Sequence, residues 1–433
     1  MHCISTRGKS PGVSVSDAII QGIAPDGGLY LPERMPNIDR QPLLNCASFQ
    51  EAALQAISPF FVDDVLQKKL PGMIGRAFNF PAPLKELVSE NGFLLELFHG
   101  PTSAFKDVGA RFLAQCFAAV PSGKIRTILV ATSGDTGGAV AAAFHGQENV
   151  RVVVLFPDGR VSARQAHQLS CFGDNVYSYR VQGSFDDCQR LVKAAFADRQ
   201  LSEQFALTSA NSINLGRLLP QMSYYAWASV QYANLNRDNG LLNFIIPSGN
   251  LGNAFAAILA RSAGAPIGDI ALATNANHVL PDFFDTDDYT PRESIGTLAN
   301  AMDVGAPSNL ERLRYLFPDH DSIHQAISFV ESVGDDEIRA AIPATLENKY
   351  EIVCPHTACG MVALQRIRET GDTRDWCVVA TAHPAKFETV VEPLIQQSIE
   401  VPEALRELLE RPAHAEALQP ELDELKRVLN QIA

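Results

Sequence analysis

Leu241-Leu242-Asn243-Phe244-Ile245-Ile246 runs straight into Pro247-Ser248-Gly249-Asn250-Leu251-Gly252-Asn253, and a helical pattern follows over 253–263. A short apolar run, closed by glycines and followed by a helix, is the signature of a strand buried on both faces in a parallel α/β sheet. The glycines let the backbone approach a ligand, and the free N–H groups of the turn, with Ser248, make a cradle for a phosphate. No Lys-Ser/Thr pair closes the turn, so it is not a Walker loop. It also lacks the third glycine and the downstream acid of the dinucleotide fingerprint.

The same alternation recurs outward from this stretch. Leu94 to Phe98, Thr127 to Ala131, Val150 to Phe156, Val176 to Val181 and Val378 to Ala380 read as strands. Helical patterns cover 162–171 and 185–197, and Phe112, Leu113, Cys116 and Phe117 share one face of another helix. Residues 1–95 have a different character. Pro25-Asp26-Gly27-Gly28 is a turn before Leu29-Tyr30-Leu31-Pro32, and 51–70 read as helical, with Ala53, Ile57 and Phe60 on one stripe. The tail is helical, with leucines at Leu405, Leu408, Leu409, Leu422, Leu425 and Leu429 and breaks at Pro412 and Pro420. The expected division is therefore an N-terminal unit over 1–95, α/β domains over 96–235 and 236–400, and a helical tail over 401–433 packed on the body.

Composition fits this plan. The chain has 433 residues, enough for two or three domains at ~150 residues each. With 46% hydrophobic and 19% charged residues it is neither disordered nor fibrous. A formal charge of −14 argues against nucleic acid as a partner and leaves any anionic ligand to a local site. No apolar run reaches the ~18 residues of a membrane span, and Met1-His2-Cys3-Ile4-Ser5 lacks a secretory pattern. The eight cysteines form no Cys-x-x-Cys pair. Cys354 and Cys359, with His356 between them, lack the further ligands of a zinc site, so buried free thiols in a reduced, cytoplasmic protein are expected, and no metal. The acidic run Asp282 to Asp288 reads as a solvated loop.

Two further junctions carry chemistry. Ala131-Thr132-Ser133-Gly134-Asp135-Thr136-Gly137-Gly138 is a second glycine-rich turn between strand and helix. Phe98-His99-Gly100-Pro101-Thr102-Ser103-Ala104-Phe105-Lys106-Asp107 places a lysine in an apolar setting at a helix mouth. Partial burial near a positive helix terminus lowers an amine's pKa and makes Lys106 a nucleophile and proton shuttle. A lysine able to form a Schiff base, together with a separate phosphate cradle, points to pyridoxal phosphate (PLP). Thr381, at the end of the late strand, is a partner for the cofactor's ring nitrogen. Lys386 reads as structural, and His356 and His383 as satisfied polar groups. Asn275 and Asn277 either line the cleft or cap a turn.

These motifs, in their order, resemble the threonine synthase family in its longer form with an extra N-terminal domain. The resemblance runs over essentially the whole chain. It includes Ser5-Thr6-Arg7-Gly8, Asp26-Gly27-Gly28-Leu29-Tyr30, His99-Gly100-Pro101-Thr102 with Lys106-Asp107, and Thr132 to Gly137. It continues through Asn211-Ser212-Ile213-Asn214 with Arg217, Ser248-Gly249-Asn250, Ala301-Met302-Asp303, Pro307-Ser308-Asn309 and Thr381 to Phe387.

The resemblance implies a tryptophan-synthase-β-like PLP fold (fold type II), with two parallel-sheet α/β domains, a small N-terminal domain and the cofactor in the cleft. It implies conversion of O-phospho-L-homoserine and water to L-threonine and phosphate, a PLP-dependent carbon–oxygen lyase reaction. By position, Lys106 is then the lysine that bonds the cofactor, Ser248, Gly249, Asn250, Leu251 and Gly252 its phosphate loop, and Thr381 the ring-nitrogen partner. Ser133 and Thr136 match the loop that holds the substrate, and Asn211, Ser212 and Arg217 the group that receives its phosphate. The sequence departs from the family pattern at Asp135, Ser103, Val108 and Asn300. The alternatives are a PLP-dependent phospho-lyase giving 2-oxobutyrate from the same substrate, a non-catalytic PLP- or phosphate-binding protein, and a phosphatase or kinase. A monomer or homodimer without membrane or nucleic-acid partners is expected.

Overall fold

Strands β5 (Gly92–Glu96), β10 (Leu242–Pro247) and β13 (Trp376–Ala380) are almost wholly buried on both faces, and they lie side by side. A computed structural model of the chain describes residues 1–88, 92–132, 134–237 and 240–433. Their sheet is completed by β4 (Leu84–Glu86), β11 (Ile267–Thr274) and β12 (Phe329–Ser332), in the order β12-β11-β10-β13-β5-β4. All pairings are parallel except β4 with β5. A second, fully parallel sheet runs β14-β8-β7-β6-β9, built from β6 (Arg126–Ala131), β7 (Val150–Pro157), β8 (Val176–Val181), β9 (Leu207–Thr208) and β14 (Glu416–Leu418). A small antiparallel sheet, β2-β1-β3, holds β1 (His2–Ser5), β2 (Val13–Ser14) and β3 (Tyr30–Pro32).

The strands fall where the apolar runs place them, but the sheets cut across the expected divisions of the chain. β5 leads into the 96–235 segment yet pairs with β13, near the other end of the chain. β14, from the tail, pairs with β8. A strand buried on both faces is uniformly apolar and satisfies any parallel sheet, so its pattern carries no information about its neighbour.

Two helical expectations are corrected. Over 51–70 one helix ends at Ile57, where Ser58-Pro59 starts a 3-10 turn, and a second runs over Leu70–Ala77. Proline lacks the N–H that a continuing helix needs. The acidic run is not a loop throughout: Val279–Thr286 is helical, because Val279, Leu280, Phe283 and Phe284 make a buried stripe.

Stacked Phe49 and Phe78 meet Phe112 of helix Lys106–Ala119, with 6.2 Å between the ring centres of Phe78 and Phe112. The N-terminal unit is thereby packed against the helix that begins at the key lysine. The tail helices Glu403–Leu409 and Leu422–Gln431 pack on helices Ala163–Ser170 and Phe185–Ala197. No described helix is long and apolar enough to cross a membrane. All eight cysteines are free and buried.

Candidate active site

Three adjacent parallel strands deliver three of the expected groups to one edge. β10 ends in the Ser248–Gly252 turn, β13 ends at Thr381, and β5 leads through a short loop to Lys106. In open α/β sheets the crevice beyond the carboxyl ends of the strands is where ligands bind. The loop before Lys106 is tied to the end of β13: Phe105 N donates to Thr381 O at 2.8 Å, His383 N donates to Ser103 O at 3.0 Å, and Ala104 bridges Ala382. The second sheet supplies the facing wall, with Thr136 after β6 and Asn211 after its neighbour β9.

One cavity of about 1000 Å³ lies between these walls. Lys106, Thr136, Thr381 and all five residues of the Ser248–Gly252 turn line it, and so do Asn211, Ser212 and Arg217. Ser133 lies outside the described residues. The structure therefore gathers every other residue singled out for binding or catalysis into a single space.

Local geometry explains each placement. Leu251 sits in the left-handed region at φ 59° and turns the chain into helix Gly252–Ser262. A Cβ at Gly249 would lie 2.7 Å from Met302 Cα, so the loop can be this close to its neighbour only with glycine there. Ser212 holds the turn from the other side, with Asn250 Nδ2 donating to its Oγ at 2.8 Å. Thr132 Oγ1 accepts from Gly134 N and Gly137 N, both at 3.0 Å, and shapes the entry to helix Asp135–Phe144.

Electrostatics set the lysine. Burial pushes the Lys106 amine down from its usual 10.5 to about 8; Lys386 and Arg217 push the same way and Asp135 opposes them. Asp135 and Lys386 form a buried ion pair, Oδ1 to Nζ 2.9 Å, and Lys386 also donates to Thr102 O at 2.7 Å. Burial alone would raise the Asp135 carboxyl, but Lys386 and Lys106 more than reverse this and hold it well below the usual carboxylate range. Burial pushes His356 down to about 4, and its Nε2 accepts from Ala301 N at 3.0 Å. It is a neutral, satisfied imidazole. Asn275 and Asn277 cap the 295–303 loop rather than lining the cavity: Asn275 donates to Asp303 Oδ1 at 2.7 Å and Asn277 to Ile295 O at 2.9 Å.

Arg217 is buried, its Nη1 donates to Ala210 O at 2.5 Å, and burial lowers its pKa to about 10. Its Nε and the Ser248 hydroxyl are buried without a hydrogen-bond partner. Both residues line the cavity, and a buried donor without a partner calls for an acceptor.

Comparison with known proteins agrees with this geometry. Residues 80–384 match the family model "Pyridoxal-phosphate dependent enzyme", residues 2–78 match "Threonine synthase N terminus", and residues 357–429 match "Threonine synthase, C-terminal". Threonine synthase of Haemophilus influenzae is 38% identical over 434 residues, covering 99% of both chains. The chain belongs to the threonine synthase family.

Crystal structures of family members superpose closely. Threonine synthase from Escherichia coli has a TM-score of 0.92 at 35% identity, with 100% of both chains covered. PLP-bound threonine synthase from Brucella melitensis has a TM-score of 0.89 at 33% identity, covering 100% of this chain and 99% of that one. The fold is thus PLP fold type II with an N-terminal domain, the chain is a PLP-dependent lyase of the threonine synthase family, and pyridoxal phosphate is its cofactor.

The residues present fit that cofactor. An amine of lowered pKa, a glycine-shaped turn with an unpaired serine hydroxyl, and a threonine at a strand end share one space. Other wall residues were not assigned from sequence. Arg7, Gln21 and Ala24 bring the N-terminal unit to the cavity. Arg312 is fully buried, donating to Tyr30 O, Ser212 O, Ile213 O and Asn309 Oδ1, so it fixes Ser212 to the N-terminal unit. Its helix, Leu310–Leu316, has Leu310 and Leu313 inside, a pattern from which an arginine reads as solvated.

Proposed function

We propose that this cavity converts O-phospho-L-homoserine and water to L-threonine and phosphate, with Lys106 as the base. The observation that carries the assignment of roles is the single cavity in which Lys106, the Ser248–Gly252 turn, Thr381 and Arg217 meet. Ser248, Gly249, Asn250, Leu251 and Gly252 hold the cofactor phosphate with backbone N–H groups and the serine hydroxyl. Thr381 accepts or donates a single hydrogen bond at the ring nitrogen. A hydroxyl, unlike a carboxylate, does not enforce a charged ring. Bound pyridoxal phosphate supplies an electron-withdrawing ring that stabilises negative charge beside the substrate's Cα.

Lys106 Nζ, an amine whose pKa burial lowers, takes the proton from the substrate's Cα. One amine within reach of adjacent carbons also serves the removal of a Cβ proton. The Cγ–O bond then breaks, and its electron pair leaves with phosphate. Arg217, with Asn211 and Ser212, receives that phosphate, and a guanidinium suits a two-point contact with it. Thr136 and Ser133 hold the substrate's amino-acid end. A proton is returned at Cγ, the oxygen of a water molecule adds at Cβ, and a proton is returned at Cα, which gives threonine. Removing one donor to the developing charge raises the barrier by ~3–4 kcal/mol.

We further place the protein in the cytoplasm, as a monomer or homodimer with no nucleic-acid partner. Eight unpaired thiols support the cytoplasm, and the −14 charge supports the lack of a nucleic-acid partner. The test of function is product analysis with O-phospho-L-homoserine. Threonine and one equivalent of phosphate are expected, whereas 2-oxobutyrate and ammonia would overturn the reading. A near-visible absorbance band that disappears in Lys106→Ala checks the lysine.

A further inference from the structure

Two stretches near the start of the chain, Ser5-Thr6-Arg7-Gly8 and Asp26-Gly27-Gly28, take no part in the roles above, yet the fold brings them together at the cavity wall. Arg7 lies across the glycines. A Cβ at Gly27 would sit 2.9 Å from Arg7 Nη1, and one at Gly28 would sit 3.0 Å from Arg7 Cγ, so neither position has room for a side chain. The Asp26 carboxylate is taken up by its own loop, accepting from Ser5 Oγ at 2.7 Å and from Gly28 N and Lys9 N, each at 2.9 Å. Its backbone oxygen accepts from Arg7 Nη1 at 3.3 Å.

Glu311 holds the opposite edge of the guanidinium. Arg7 Nε donates to Glu311 Oε1 at 3.3 Å and Nη2 to Oε2 at 3.2 Å, and Thr6 Oγ1 donates to the same Oε1 at 2.5 Å. A guanidinium carries five N–H groups. Three are used here, so one on each terminal nitrogen has no acceptor among the described residues, and the side chain is half exposed. Glu311 also ties this group to the substrate end of the cavity. It precedes Arg312, which donates to Ser212 O, and two residues before it Asn309 Nδ2 donates to Ser212 Oγ at 3.3 Å.

The charges on the wall leave a place for such a group. The substrate brings a phosphate monoester and a carboxylate. Lys106 serves the cofactor, and His356 is neutral. Among the described residues, the cavity-lining cations that remain are Arg217, Arg7 and Lys193 of helix Phe185–Ala197.

We propose that Arg7 is a second substrate-binding residue, whose two free N–H groups donate to oxygens of the substrate's phosphate monoester, and that Glu311 and Thr6 are positioning residues that orient it. This rests on the reading of the cavity as the site that turns O-phospho-L-homoserine into threonine. The contact is to the substrate and not to the cofactor. Glu311 offsets part of the charge of Arg7, so the hold on phosphate is loose enough to let it leave.

The test uses the cofactor-loaded enzyme. KM and kcat are measured with O-phospho-L-homoserine, and the inhibition constant with inorganic phosphate. The dissociation constant of L-homoserine, which lacks the phosphate, is read from its effect on the Lys106-dependent absorbance band. Arg7→Gln is expected to raise KM and the phosphate inhibition constant about tenfold, to lower kcat less, and to leave the homoserine constant unchanged. Glu311→Gln keeps an acceptor for Arg7 but removes the opposing charge, so it is expected to lower the phosphate inhibition constant. Lys193→Gln removes one positive charge from the same cavity and is expected to have a smaller effect than Arg7→Gln. The proposal is overturned if Arg7→Gln leaves KM and the phosphate constant unchanged, or weakens homoserine as much as phosphate. It is also overturned if Glu311→Gln weakens phosphate as Arg7→Gln does, which marks the pair as a structural tie, or if Lys193→Gln matches Arg7→Gln, which marks a general effect of charge. All of these outcomes leave the reading of the cavity standing. If the unsubstituted protein makes no threonine, the reading falls, and the proposal with it.

Discussion

At the scale of single residues, three charges decide the chemistry. Lys106 is an amine of lowered pKa because it is buried beside Lys386 and Arg217, and Asp135 limits the fall. Only the neutral amine attacks an aldehyde. The rate at which cofactor-free protein takes up pyridoxal phosphate is therefore expected to rise with pH and level off above about 8, not near the usual 10.5, in stopped-flow absorbance. The same shift has a sign for stability. Between about 8 and 10.5 the unfolded chain holds a proton that the folded chain has lost, so the lysine's contribution to stability rises with pH across that window, and its full penalty stands below it. Lys386→Met leaves the buried Asp135 carboxylate unpaired. It is expected to cost about 3–5 kcal/mol in urea denaturation, and to move the uptake midpoint upward by removing a positive neighbour. Adding Asp135→Asn should recover part of the loss. Lys106 was legible in the sequence because its neighbours are apolar. The pairing of Lys386 was not, because its partner lies far away in the chain and only the folded sheets bring the two together.

At the scale of elements, the glycine-rich turns shape the site. Gly249→Ala would set a Cβ 2.7 Å from Met302 Cα and 3.0 Å from its carbonyl oxygen, both backbone atoms that cannot swing aside. Overpacking of this kind costs about 1–3 kcal/mol, so cofactor titration is expected to show a five- to hundredfold weaker complex. Most strands and the helices at 163–170 and 185–197 were legible because each is a clean apolar run or stripe. The break at Ser58-Pro59 was obscured by apolar residues that continue the stripe beyond it. Helix Val279–Thr286 was hidden by its acidic outer face. β14 is only three residues long and mostly exposed, so nothing in its sequence marks it as a strand.

At the scale of the molecule, the N-terminal unit is part of the site's wall, and Arg312 is its tie. Arg312→Ala strands buried acceptors on Tyr30 and Asn309 and partly buried ones on Ser212 and Ile213. Each unpaired group costs about 1–3 kcal/mol. The variant is expected to lose several kcal/mol in thermal or urea unfolding, and its KM should rise more than its kcat falls, because Ser212 loosens. Fold class was readable from the alternation of strands and helices, but the grouping of strands into sheets was not. That grouping has a mechanical outcome. Lys106, the Ser248–Gly252 turn and Thr381 are carried by three neighbouring strands of one sheet, while Thr136 and Asn211 follow neighbouring strands of the other. The hydrogen bonds of Ser212 to Asn250 and Asn309 fasten the two sides. A rocking of one sheet against the other would stretch those fasteners and widen the gap in which phosphate and threonine sit, yet leave the distances among the three cofactor-side groups unaltered, so product could depart through an open door while the coenzyme stayed seated for the next turnover.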